Sequence, residues 1–332
     1  MEKLKFIVRR LLLAIPMLLV VTVMAFILSH MSSGNIAAVT IQKEGGVVTE
    51  QTIAAKEVEL GLDQPLHIQY LRWLEKAVHL DFGISFISKE PVTYEILSRF
   101  PATLALAAAA TCIAILIGLA AAILSVIFHG KAVDFLIRIL TVMGSTMPNF
   151  WIGMLLLYLF AIHMNLIPVI AGSNMLAIWV PAITLSLEHA AMYTRLLRSS
   201  LLDAMNSNYM KVARTKGLTR VGAMLRHGLK NAILPCLTLV ATNFGGLLCG
   251  SFTVETIFSW NGIGMYAVQS VKAKDLPVIQ GYMIAVAVSY IVINLLVDII
   301  YVYVDPKIKL SGGNSNGKEK TTKKNAAAFS GR

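Results

Sequence analysis

The chain is 332 residues long, 56% apolar and only 14% charged, with a mean hydropathy of +0.70. Soluble domains are roughly 45–50% apolar and about 25% charged, so this composition excludes a soluble enzyme and a disordered chain. The formal net charge of +11 then reads as basic residues gathered in cytoplasmic loops against anionic lipid, not as a nucleic-acid footprint.

A bilayer core needs about 20 apolar residues of helix, and six stretches qualify. The first, 6–30, follows Arg9 and Arg10. It is too long for a signal peptide and lacks a small-residue cleavage site, so a retained anchor is expected. The others are 101–128, 134–164, 179–202, 233–258 and 278–304. Pro16 and Pro148 fall inside helical patterns and predict kinks. Pro101, Pro181, Pro235 and Pro277 fall at starts, where proline fits the first turn. Cys112, Cys236 and Cys249 show no C-x-x-C spacing and read as buried packing residues. His163 and Met164 fall at the outer end of the third span.

Loop charge sets the expected orientation. Residues 1–10 carry four Lys/Arg, the segment 195–230 eight and the tail 305–332 seven, whereas 165–178 has none. In 31–100, nine acidic residues outnumber six basic ones. Both termini are therefore expected in the cytoplasm. The 31–100 loop is expected outside, as a small structured unit containing Trp73, Phe82, Phe86 and the turn-like Leu62–Asp63–Gln64–Pro65.

The cytoplasmic stretch after the fourth span is a basic helix broken by glycine, Tyr209–Met210–Lys211–Val212–Ala213–Arg214–Thr215–Lys216–Gly217. A second amphipathic run follows it, through Arg226–His227 to Lys230–Asn231–Ala232–Ile233–Leu234–Pro235. Basic charge alone would make it an ordinary positive-inside loop. Its spacing, however, resembles the coupling loop of permease subunits in binding-protein-dependent ABC importers, in the dipeptide, oligopeptide and nickel branch. Further matches run in order to Ile308: Arg9–Arg10 with Ile15–Pro16, Met147–Pro148–Asn149–Phe150–Trp151, Glu255–Thr256–Ile257–Phe258–Ser259–Trp260–Asn261–Gly262–Ile263–Gly264, Asp275–Leu276–Pro277–Val278–Ile279–Gln280 and Asp305–Pro306–Lys307–Ile308. Asn261 stands where the branch usually has proline. The runs Leu62–Asp63–Gln64–Pro65–Leu66, Gln69–Tyr70, Trp73–Leu74 and His79–Leu80–Asp81–Phe82–Gly83–Ile84–Ser85–Phe86 look most like nickel permeases, with parts shared by peptide permeases.

The resemblance implies an all-α membrane protein of six transmembrane helices with the type I ABC importer permease fold. Residues 1–100 would form the first helix and an extracytoplasmic region. Residues 101–305 would form a five-helix core with a coupling loop at 203–232, and 306–332 a disordered cytoplasmic tail. Ala213, Arg214, Lys216 and Gly217 would couple to the ATPase. The implied partners are a homologous second permease, two ABC ATPases holding ATP and magnesium, an extracytoplasmic binding protein and membrane lipid. No cofactor or catalytic residue is expected on this chain. The run Gly312–Gly313–Asn314–Ser315–Asn316–Gly317–Lys318 matches G-x-x-x-x-G-K, but Glu319 stands where a phosphate loop needs Ser or Thr, and no strand precedes it.

Within the fourth span, Glu188, His189 and Met192 fall close together, with Glu188 and Met192 one turn apart on one face. An intramembrane carboxylate is a functional candidate because its desolvation is costly. Carboxylate and imidazole suit divalent metals, and thioether softer ions. Glu188 and His189, with Met192, are therefore expected as transient contacts in a substrate path for nickel or a nickel–chelator complex. The plainer alternative is that Glu188 pairs with His189 or a neighbouring helix and serves packing. A di- or oligopeptide cargo is the other branch outcome. A proton-coupled secondary transporter is the competing class, but it would show inverted repeats; a membrane enzyme would need motifs such as H-E-x-x-H or G-x-S-x-G, which are absent.

Overall fold

A computed structural model describes residues 2–32, 35–168 and 177–304. The run at Gly312–Lys318, the 306–332 tail and the Asp305–Ile308 ending lie outside the described residues. Among those described there is no strand, only an isolated bridge between Ile84 and Pro91.

Helix α1 (Glu2–Ser32) carries Pro16 in its interior. Three short helices follow: α2 (Ile36–Lys43), α3 (Glu50–Leu60) and α4 (Leu66–Val78). Thr49 and Thr52 form a capping box at the start of α3, and Gly61 ends it in the left-handed conformation at φ 69°. The amphipathic α4 lays one face on α1. Tyr70 Oη lies 2.9 Å from Thr22 Oγ1, Gln69 Oε1 lies 3.0 Å from His30 Nε2, and Phe26 sits against the rings of Tyr70 and Trp73. Helix α4 is thus docked on the first helix through Tyr70 and Trp73, and Phe82 after it packs with Val92 and Ile263.

Helix α5 (Val92–Ile127) begins nine residues before Pro101, which therefore lies inside the helix and not at its start. The reason is tertiary: Val92 and Ile96 in the added turns are buried with Phe82, Ile263 and Val278. Likewise Pro235 is interior to α11 (Leu229–Gly250), because helix runs on from α10 (Arg220–Ala223) through a π-helical turn at Met224–Gly228. Pro148 does more than kink the third span. It separates α6 (Ala132–Thr146) from α7 (Asn149–Leu157), and the pair is bent by 104°.

Among the described residues, four helical stretches are long and apolar enough to cross a membrane, Val8–Met31, Val92–Ile127, Arg220–Gly250 and Leu276–Val297; the bent pair makes five if it counts as one span. The fourth expected span falls on α8 (Trp179–Met205), which is not among these stretches. At about 1.5 Å per residue it is about 40 Å long, but it carries Glu188, Arg195, Arg198 and Asp203. It can afford them because α5, α6, α7 and α11 all pack on it. The main core joins α5 and α8 to the chain after α11, through Leu106, Leu185, Leu247, Phe258 and Trp260. The chain ends its described part with α12 (Phe252–Ile257), α13 (Ile263–Lys272) and α14 (Leu276–Val304), which packs on α1 and α11.

Candidate coupling and translocation sites

Helix α9 (Asn208–Thr215) leaves α8 after a short turn and is strongly two-faced. Met210 and Ala213 are buried in a cluster with Leu197, Leu201, Ala223 and Met224. The other face is open: Lys211, Thr215 and Lys216 are exposed, and Val212 is 53% exposed. Of the expected coupling residues, Ala213 therefore faces the bundle and Lys216 faces outward, while the side chain of Arg214 lies outside what is described. Gly217 has φ +90°, and a Cβ there would meet nothing within 4 Å. Its glycine is required by the left-handed backbone, not by close packing. The turn lets Thr219, whose hydroxyl accepts from Gly222 N, cap the helix that returns to the membrane.

Glu188, His189 and Met192 make separate contacts and share no partner. Glu188 Oε2 accepts from Asn149 Nδ2 on α7 at 3.1 Å, whereas Met192 Sδ accepts from Asn243 Nδ2 on α11 at 3.6 Å. His189 Nδ1 donates to Leu185 O in its own helix at 3.2 Å, and its ring meets Tyr193 edge-on. Adjacent helical residues point about 100° apart, which parts His189 from Glu188. Among the described residues, no group of three or more His, Cys, Asp and Glu side chains is placed to hold a metal ion. Asn149 was legible only as part of a family motif, and Arg195 was not singled out. Its signal was available: position 195 is two turns after Glu188 on the same face. Arg195 Nη1 donates to Ser145 Oγ at 2.8 Å.

Two buried carboxylates fix this framework. Asp134, 1% exposed, receives Arg198 Nε and Nη2, each at 3.0 Å, the Ser125 hydroxyl and Gly130 N. This bidentate pair ties the α5–α6 turn to α8. Glu255, fully buried, receives Thr103 Oγ1 and Ser251 Oγ at 2.8 Å and Met265 N at 2.9 Å. Thr103 Oγ1 also accepts from Ile263 N, and Trp260 Nε1 donates to Ala102 O. The glycines of this motif follow from the same geometry: a Cβ at Gly262 would lie 2.5 Å from Glu255 Oε2, and one at Gly264 2.7 Å from Phe252 Cα. Asn261 is exposed, and the turn around it closes through Gly262 N to Trp260 O at 2.7 Å.

Long apolar helices packed around a polar one, with a two-faced basic helix at one end, define an integral membrane protein. The chain belongs to the family of binding-protein-dependent transport system inner membrane components, whose model matches residues 98–310; the family's N-terminal membrane component model matches residues 3–107. It is therefore a permease subunit of an ABC importer, in a family that is not itself catalytic. It is 37% identical over 306 residues to the glutathione transport system permease protein GsiC of Salmonella paratyphi A, covering 92% of this chain and 99% of that one. The GsiC protein of Escherichia coli K12 is 36% identical with the same coverage. A crystal structure of an amino acid ABC transporter with histidines shares the fold at TM-score 0.51 and 21% identity, covering 65% of this chain and 95% of its own.

Proposed function

We propose that this chain is a six-span permease that imports short peptides of the glutathione class, paired with a second homologous permease. Two ATPase subunits would bind ATP and magnesium, and an extracytoplasmic binding protein would deliver cargo. In this reading both termini are cytoplasmic and the α2–α4 unit lies outside. The loop-charge asymmetry supports that orientation, and the bent α6–α7 pair with α8 supplies the spans beyond the four continuous ones.

One observation carries the coupling role: α9 buries Met210 and Ala213 against the bundle and leaves Lys211, Val212 and Lys216 uncovered, beside a left-handed Gly217. An ATPase groove would take that open face. Closure of the ATPases on ATP would pull α9, and the packed cluster behind it would carry the motion into α8 through Leu197 and Leu201.

The GsiC relatives support a peptide cargo. Nickel, or a nickel–chelator complex passing Glu188, His189 and Met192, has its support in the run 62–86. Much of that run serves the framework: Gln69, Tyr70 and Trp73 dock on α1, and Ser85 Oγ donates to Asp275 Oδ2 at 2.6 Å. The test is uptake by the complete complex in proteoliposomes. Glutathione accumulation that needs both ATP and binding protein is expected; accumulation of nickel without peptide uptake would favour the metal reading.

A further inference from the structure

The face of α8 that its neighbours leave least covered carries two opposite charges. Counting 100° per residue, Glu188, Met192, Arg195 and Ser199 fall within a narrow stripe. Glu188 and Met192 are half-buried, and Arg195 and Ser199 are exposed, while α5, α6, α7 and α11 all pack on the helix. Charged groups on a membrane-spanning helix do not face lipid; they face a polar path or a partner.

Each charge is steadied by one polar side chain from the bent pair. Asn149, just after the bend, donates to Glu188, and Ser145, just before it, accepts from Arg195. What remains unused is of opposite character at the two positions. At Glu188 only acceptors are left: the buried Asn149 Oδ1 has no hydrogen-bond partner, and the carboxylate accepts from Asn149 through one oxygen only. At Arg195 donors are left, because a guanidinium has five N–H groups and Ser145 takes one.

We propose that this stripe is a two-pole subsite for a zwitterionic short peptide, with Glu188, steadied by Asn149, receiving the ammonium end and Arg195 the carboxylate end. The proposal rests on the short-peptide reading above and deepens it. Seven residues of helix place the poles about 10 Å apart at about 1.5 Å per residue. An extended tripeptide spans about 10 Å, at about 3.3–3.6 Å per residue. A bare divalent cation would find acceptors at one pole only. With α8 entering from the outside, the peptide travels carboxylate end first.

The complete complex in proteoliposomes, supplied with binding protein and either reduced glutathione or trialanine, tests this. Glu188→Gln and Arg195→Gln are each expected to lower uptake roughly tenfold or more, the effect of losing one hydrogen bond to a charged group, with the yield of assembled complex unchanged. Unchanged uptake in both variants overturns the subsite and leaves the importer reading standing. Loss of assembled complex makes the stripe a contact with the second permease and also overturns it. Wild-type complex that imports neither peptide overturns the peptide reading together with the subsite. In wild-type complex, a tripeptide with both termini free and a photoreactive side chain at its first residue is expected to label the turn around Glu188, and one with that side chain at its last residue the turn around Arg195. The reverse pattern, or no labelling of α8, contradicts the proposal.

Discussion

Thr103 donates to Glu255 across 152 positions of sequence, at 2.8 Å and with both residues fully buried. The same threonine oxygen accepts from Ile263 N, so one side chain on α5 fixes both the end of α12 and the start of α13. Glu255→Gln replaces an acceptor by an NH2 group facing existing donors. Its expected cost is about 1.5–3 kcal/mol, that of a hydrogen bond to a charged group. Thermal unfolding of the purified complex measures it, and Glu255→Gln as stable as wild type would contradict the assigned network.

Gly264→Ala is expected to destabilise strongly, because its Cβ would lie 2.7 Å from the Phe252 backbone, which cannot move cheaply. Gly250→Ala is the control, with nothing within 4 Å of its Cβ. Equal melting temperatures for the two variants would show that the α12–α13 packing is wrong.

Removing Arg198 strands a carboxylate that is 1% exposed. Arg198→Ala is expected to cost about 3 kcal/mol, the low end of the usual penalty for breaking a buried pair, because Arg138 Nε stays 3.9 Å from Asp134 Oδ1. Adding Asp134→Asn should recover much of that loss by removing the charge. Arg198→Lys should not, since a lysine cannot supply the two parallel bonds. Recovery of assembled complex from membranes, followed across the three variants, decides between these outcomes.

Gly217 separates folding from coupling. A non-glycine residue at φ +90° costs about 1–2 kcal/mol, but no neighbour would be struck. Gly217→Val should therefore insert and assemble while uncoupling ATP hydrolysis from uptake. Full transport by Gly217→Val would contradict the role of this turn.

The sequence carried the long spans well, since α1 beyond Arg10 and most of α14 are apolar and need no tertiary information. It misplaced Pro101 and Pro235 because a proline reads as a start only when no packing extends the helix before it. Val92 and Ile96 do so for α5, and the run from Arg220 does so for α11. The 104° bend at Pro148 exceeds what one proline implies, and no local signal sets that angle. Glu188 stood out as an intramembrane carboxylate, but its partner Asn149 is 39 positions away, and such a pairing leaves no mark at either position. The stripe from Glu188 to Arg195 was legible as an i, i+7 spacing; that it was left open was not, because openness depends on where four other helices pack.

In the coupling role proposed for α9, its open face meets an ATPase subunit. A photoreactive amino acid placed at Val212, 53% exposed, and in a second variant at Ala213, 8% exposed, tests it directly in the assembled complex. The expected result is an adduct with the ATPase subunit from position 212, and from 213 only adducts within the permease. No ATPase adduct from 212, or equal adducts from both positions, would show that α9 does not dock the ATPase by this face.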